Sequence, residues 1–356
     1  MSEPRILKEE VGPNGNIRAL VEDDGRSVHL YLEGTSEDHP FGVRSCWVRN
    51  LRAAPTLIEA ERMQAGLAPM LPARNCVDPE AGRPLRAEDL EFLWFESGDG
   101  VALLEKGDVL AVIPPWSGKA GFAGYARDCA LSSPLCDPLG SPQHDHDGIF
   151  TRLARAAAFW ESWDHNPWPA IQQGLMRAME EALGPHTKYY STDPQHWPPR
   201  SLTRFDRDDH LVAITGGMSL RPQPRATGPS RIELGFAWEP RSSDPTPLLS
   251  YLSGQAILPW ERYTFLDEGH AIGFSAAGQA EVGPAFRSMF LWERPPGAPR
   301  IELPPFEGEA VRLLWMVPIT ESEVDLLRRE GPDALRERLV AARVGWIHRN
   351  REPVAG

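Results

Sequence analysis

Three apolar runs separated by polar and glycine-containing stretches dominate the second half of this chain: RIELGFAW (231–238), FRSMFLWE (286–293) and VRLLWMVPI (311–319). Segments of this length, rich in β-branched and aromatic residues and bounded by turn formers, read as strands. A helical stretch, PLLSYLSGQA (247–256), lies between the first two, and HLVAIT (210–215) and TKYYST (187–192) add earlier strands. A body built from these pieces is a sheet flanked by helices. None of the runs contains a catalytic signature, so the most legible part of the chain looks like a scaffold that binds rather than a site that transforms.

At 356 residues the chain exceeds a typical single core, and two domains are expected. In the first part, IRALVE (17–22) and SVHLYLE (27–33) flank the hairpin-type turn Asp24-Gly25. VRSCWVR (43–49), LEFLWFE (90–96), VALLE (101–105) and DVLAVIPP (108–115) continue as strands, and a short helix is predicted from Pro55 to Gly66. The segment PLCDPLGSPQHDHDG (134–148) is rich in proline, glycine and aspartate and reads as a linker. The expected domains are therefore 1–140 and 149–345. Two helices open the second: one carries Ile149, Leu153, Ala157 and Trp160 on a face, the other Ile171, Leu175, Met179 and Leu183. Thr320-Glu321-Ser322-Glu323 is a capping-box pattern. It starts a helix to about Glu330, and a second helix follows Gly331-Pro332. The predicted class is α+β, with two domains that are each a mixed, mostly antiparallel sheet with flanking helices.

The net charge is −13, which disfavours nucleic acid, since phosphate binding draws on Lys and Arg. It suits a soluble protein or a basic partner. No apolar stretch approaches the roughly 18–20 residues that span a bilayer, and the first residues lack a signal-peptide core. No membrane association and a cytoplasmic location are expected. The four cysteines, Cys46, Cys76, Cys129 and Cys136, form no CxxC motif and read as free thiols. Cys129 and Cys136 are spaced to close a small loop or to join a metal site, without a second paired set to support either.

Candidate chemistry is sparse. His144-Asp145-His146-Asp147 has ligand-type side chains, but neighbours in an extended chain point in opposite directions, so a solvated hinge is the simpler reading and no metal is expected. Gly216-Gly217-Met218-Ser219 follows a strand, yet Arg221-Pro222-Gln223-Pro224 breaks any helix that a phosphate loop would need. A turn that allows close backbone approach is expected there. Asp267, Glu268 and His270, near Ser275, offer an acid/base pair for a hydrolase, but no GxSxG elbow accompanies them. No cofactor is implied.

Over about 150–342 the chain resembles the suppressor of fused domain family. The resemblance is carried by ITGGMSL (214–220), IELGFAW (232–238) with its following helix, WERYTFLDEGHAIGF (260–274) and VRLLWMVPITESEVDLLRREGPDALRERL (311–339). It implies a non-enzymatic, bacterial protein that sequesters a protein partner. The animal members clamp a peptide as an added strand, and similar bacterial domains are candidate immunity proteins that neutralise a polymorphic toxin. The partner would be a toxin domain or an added peptide strand, and the contact residues assigned on this basis are Gly217, Ser219, Glu233, Trp260, Tyr263, Phe265 and His270. The alternatives are a hydrolase-like enzyme using His270 in a polar cleft, or a metal-dependent scaffold using His144 and His146.

Overall fold

The computed structural model describes residues 4–145, 147–191, 197–241, 244–274, 279 and 281–355. They fall into two compact units, Met1–Asn166 and Pro167–Gly356.

In the first unit, β1 (Arg5–Val11), β2 (Ile17–Asp23), β3 (Ser27–Gly34) and β4 (Val43–Asn50) form an antiparallel meander. Its alternation buries Ala19, Val21, Leu30, Leu32 and Cys46 on one face. The Asp24-Gly25 turn forms as predicted: the Asp24 carboxylate accepts the amides of Arg26 and Ser27, and Gly25 takes a positive φ of 78°. A second sheet runs β5 (Leu90–Trp94), β6 (Val101–Glu105), β7 (Asp108–Ile113), β8 (Tyr125–Ala126) and β9 (Asp137–Pro138).

Two local expectations need correction here. The helix expected from Pro55 shrinks to α1 (Ala60–Gln64), which buries no residue. The Pro55 carbonyl is instead held by the amide of Ala73, which ties the start of the segment to a neighbouring loop. The stretch 134–148 is packed structure rather than a free linker. Leu135, Cys136 and Leu139 are buried between its prolines and glycines, and β9 pairs with β8. The helix that follows, α2 (Ile149–Trp163), sets Ile149 and Leu153 against Phe95, Ala102, Val112, Tyr125 and Leu139. Its Trp160 indole donates to the Trp94 carbonyl at 2.8 Å. The helix thus belongs to the first unit, and the units part after Asn166 rather than near residue 148.

The second unit opens with α3 (Trp168–Leu183) and continues through β10 (Lys188–Ser191), β11 (Ser201–Asp206), β12 (Leu211–Gly216) and β13 (Ile232–Trp238). Then come α4 (Thr246–Gln255), α5 (Leu258–Glu261), β14 (Ala271–Gly273), β15 (Phe286–Trp292), β16 (Arg312–Thr320), α6 (Glu321–Ala341) and β17 (Ile347–His348). The strands make one mixed sheet in the order β10-β11-β12-β13-β16-β15-β14, with β17 also on β13. The β13–β16 and β13–β17 pairs are parallel and the rest antiparallel. Every residue of β13 is buried, as expected for a central strand covered on both faces. Leu234, Phe236 and Trp238 face Leu248, Leu252 and Trp260, while Ala237, Leu313 and Trp315 face Leu175 and Met179 of α3. Gly235 is required by this packing, since a Cβ there would lie 2.9 Å from the Trp315 ring.

The capping box at Thr320 forms, with Glu323 closing back on the Thr320 amide at 2.8 Å. α6 kinks at Gly331, where φ is 87°, and its two halves pack Val324, Leu326, Leu335 and Leu339 on Phe290, Trp292 and Ile319. Glu323 is fully buried. Burial works to raise its carboxyl, but Arg351 and the amides of Val354 and Thr320 hold it below the ordinary value of 4.5. A depressed carboxyl contributes stability that is complete above its unfolded value and is lost as pH falls through the folded one. Glu323→Gln is therefore expected to cost about 2 kcal/mol at pH 7, less than a deep ion pair because Arg351 can re-solvate. It should also flatten the acid limb below about pH 4.5 in urea midpoints measured against pH. A variant whose acid limb matched the parent would exclude this role. No described helix is long and apolar enough to cross a membrane.

Candidate protein-binding site

The site is organised by a buried carboxylate. Glu233, on β13, accepts from the Thr215 hydroxyl (2.6 Å), the amides of Gly217 (2.9 Å) and Ser219 (3.0 Å) and the Ser219 hydroxyl (2.6 Å). Burial pushes its carboxyl up, and the four donors pull the other way. The two amides can only donate, and both do so to the same carboxyl oxygen. Gly217 has a φ of 101°, and a Cβ there would sit 2.2 Å from the Pro199 carbonyl oxygen. This is the close backbone approach expected of the glycine pair.

The far side of the same turn is held by Arg231. Its guanidinium is fully buried, donates to the Ser219 and Leu220 carbonyls at 3.0 and 2.8 Å, and pairs with Glu307 (2.6 Å) and Glu309 (3.0 Å). It lies over the Phe306 ring at 4.8 Å. Gln223 then clasps the backbone of Leu266, donating to its carbonyl (3.0 Å) and accepting its amide (2.8 Å). The Arg221 guanidinium stacks 3.7 Å from the Trp260 ring, with both residues buried. The turn after β12 is thereby bolted to β13 and to the loop 262–270.

That loop presents the exposed part of the site. Tyr263, Phe265 and His270 are half-buried, and Arg225 lies 5.6 Å from the Tyr263 ring. Phe265 meets the His270 ring edge-on at 5.0 Å. The loop is anchored at Gly269, whose amide donates to the Leu291 carbonyl, and by Arg312 on Asp267 (2.8 Å) and Arg336 on Glu268 (3.2 Å). It leads directly into β14, an end strand of the sheet. The ladder to β15 turns the backbone groups of Ala271 and Gly273 outward. The Gly273 carbonyl accepts the Tyr251 hydroxyl at 3.1 Å.

The residues assigned to partner contact therefore divide into two sets. Gly217, Ser219, Glu233 and Trp260 are buried and fully used inside the fold, so they shape the surface without lying on it. Tyr263, Phe265 and His270 lie on it. Arg221, Gln223 and Arg231 carry no sequence assignment, although the alternation of Arg221 and Gln223 with prolines in RPQP does mark an extended segment that sends those two to one side.

The acid/base pair is not assembled. His270 Nδ1 accepts the Asp267 amide (3.3 Å), while the Asp267 carboxylate is taken by Arg312 and the Glu268 amide. Ser275 and His146 lie outside the described residues. In the other cluster, Asp145 accepts the amides of Phe150 and Thr151 at the start of α2, Asp147 accepts the Tyr125 hydroxyl, and His144 meets Ser141. Among the described residues no three His, Cys, Asp or Glu side chains are arranged to hold a metal ion.

The second unit is thus an α+β domain with a mixed sheet, a polar hub inside it and a half-exposed aromatic loop at one end strand. Residues 196–352 match the family model of the Suppressor of fused protein (SUFU). The match includes nothing before residue 196. A suppressor of fused homologue from Neisseria gonorrhoeae FA 1090 is 15% identical, with a TM-score of 0.41, over 52% of this chain and 98% of its own. A chain of the Sufu–Fu complex is 15% identical, with a TM-score of 0.38, over 52% and 91%. Drosophila Suppressor of Fused is 12% identical, with a TM-score of 0.35, over 52% and 50%. No curated protein matches the chain.

Proposed function

We propose that the second unit acts without catalysis, by binding another protein through the aromatic loop 263–270 and the adjoining edge of β14. The observation that carries this reading is the division of labour around Glu233. Ionisable groups that might have converged on a substrate are used to brace a turn, and what the brace holds outward is aromatic. Tyr263 and Phe265 are anchor-type residues for an interface, and an end strand accepts a partner strand through main-chain hydrogen bonds. The family match supports the same class of function.

The finer proposal is an immunity role, in which the partner is a basic toxin domain and the acidic chain, at −13, gains association rate from charge complementarity. Phe265→Ala and Arg225→Ala, each checked for an unchanged urea midpoint, are expected to weaken the complex at least tenfold, about 1.4 kcal/mol. The measurement is quantitative cross-linking and mass spectrometry of partners captured in the native host, followed by titration of the captured protein. A partner bound equally by parent and Phe265→Ala would remove this surface from the reading. An association rate indifferent to salt would remove the electrostatic part alone.

A further inference from the structure

The outer face of the β1–β4 meander leaves apolar surface open in the first unit. Cross-strand register sets Leu20 opposite Tyr31, Glu22 opposite both His29 and Ile6, and Val43 opposite Glu33. These residues alternate with the buried Ala19, Val21, Leu30 and Leu32 and so face away from that core. The segment 59–70 covers part of this face. At His29 the cover is complete: the ring is buried and its Nε2 meets the Pro69 carbonyl at 2.9 Å. Beyond it, Leu20 and Tyr31 stay half-buried, and Ile6, Val43 and Leu67 are 47%, 66% and 40% exposed. A cavity of about 740 Å³ lies between these strands and residues 62–68. Small-molecule pockets span roughly 300–1,000 Å³.

The covering segment is fixed in place although α1 buries no residue. Arg62 donates to the Asp24 carboxylate and to the Ala68 carbonyl, each at 3.1 Å. Glu59 accepts the Met70 amide at 2.8 Å and pairs with Arg26. The pocket is thereby pre-formed, and the same pairs use up its arginines. Arg52 is exposed at the rim and donates to the Gly25 carbonyl at 3.0 Å. Of the lining carboxylates, Asp24 holds Arg62 and two turn amides, and Glu33 holds Arg18 at 2.6 Å. Glu22 differs from both. Among the described residues it pairs with no basic side chain and accepts no hydrogen bond at its carboxylate. Partial burial and the nearby Asp24 push its carboxyl up, the direction of a carboxylate without a counter-ion. Glu22 and Tyr31 are diagonal neighbours across the β2–β3 ladder, within about 7–8 Å, and both line the cavity.

We propose that the first unit carries a binding pocket for a small organic cation: an ammonium group with an apolar body. Its charge would sit between the Glu22 carboxylate and the Tyr31 ring, and its body on Ile6, Leu20 and Val43. A carboxylate and an aromatic face together are a cation seat. The partnerless Glu22 sets the sign of the ligand. An anion of the same shape meets Glu22 uncompensated and finds Arg26 and Arg62 already paired. A purely apolar ligand buries Glu22 further with nothing to offset the cost. The apolar body is needed because a half-open ion pair alone contributes little.

The test titrates the full-length protein with hexylammonium chloride, followed by ligand-observed NMR. Methylammonium carries the charge without the tail, and hexanoate carries a tail of like length with the opposite charge. At a net charge of −13 any cation gathers near the surface, so saturation and dependence on Glu22 are the readouts. Hexylammonium is expected to saturate a single site with a dissociation constant of about 1 mM, the scale for a fragment of this size. Methylammonium should bind at least about tenfold more weakly, and hexanoate about fivefold or more. Glu22→Gln keeps the side-chain volume at a position with no partner to lose. It should weaken hexylammonium about fivefold and leave the urea midpoint unchanged. Failure of hexylammonium to saturate the parent protein, or equal affinity for hexylammonium and hexanoate, would overturn the proposal without recourse to any variant. Unchanged affinity in a folded Glu22→Gln protein would do the same. Pentalysine binding that depends on Glu22 while hexylammonium fails to saturate would assign the pocket to a polypeptide's basic side chain and overturn the small-ligand reading.

Discussion

Glu233→Met should destabilise the second unit by about 4 kcal/mol, the summed scale of leaving its buried donors unpaired. A carboxylate offers acceptors alone, and it meets four donors from Thr215, Gly217 and Ser219. Methionine keeps the length of the side chain but offers no acceptor oxygen to donors held in a site with no exposure. An unpaired buried donor costs about 1–3 kcal/mol, and the amides of Gly217 and Ser219, which both reach Oε1, are left in that position. Ser219→Ala removes only the hydroxyl donor and leaves three, so it should cost about 1 kcal/mol. Urea unfolding followed by tryptophan fluorescence reads both. A Glu233→Met loss under 1 kcal/mol would mean that the turn re-forms without the carboxylate, and the brace under the aromatic loop would lose its basis.

The contrast between what the sequence reveals and what it hides has a physical cause at each place. β13, β15 and β16 are legible because a strand covered on both faces must be apolar along its whole length. The start of α6 is legible because Thr320 and Glu323 satisfy end-of-helix amides locally, at fixed spacing. The segment 134–148 is misleading because its composition is that of a linker while Leu135, Cys136 and Leu139 are each buried singly. Single apolar residues between prolines make no period. The assignment of α2 fails for a related reason: its apolar face is readable, but the residues it packs on, such as Phe95 and Val112, lie far away in sequence.

At the site, residue type was readable and direction was not. Tyr263, Phe265 and His270 fall on the surface, but Glu233, Ser219 and Trp260 point inward. A glutamate inside IELGFAW, at its second position, is itself a signal. A charge within a central strand must be paired or multiply hydrogen-bonded, and the Ser and Gly residues of ITGGMSL are what it binds. Arg231 carries the same signal at the head of the strand, with partners at Glu307 and Glu309, too distant in sequence to be guessed.

Arg231 therefore supplies the second large effect. Arg231→Met should cost about 4 kcal/mol, and Arg231→Lys about 3 kcal/mol. Glu307 and Glu309 keep partial access to water, with side-chain exposures of 22% and 38%, so they can re-solvate when the guanidinium goes. The Ser219 and Leu220 carbonyls are buried and cannot, and the loss arises chiefly from them. Lysine brings a charge to the same place, but one ammonium cannot serve two carboxylates and two carbonyls in the fork geometry that arginine presents. Because Glu233 holds the amide of Ser219 and Arg231 its carbonyl, the two side chains fix the same peptide segment from opposite sides. Once one is lost the turn relaxes and the other has less to hold. The double variant Glu233→Met/Arg231→Met should thus fall short of the summed single losses by at least about 1 kcal/mol. Strict additivity in the urea midpoints would show two independent sites, and the single hub beneath the aromatic loop would have to be abandoned.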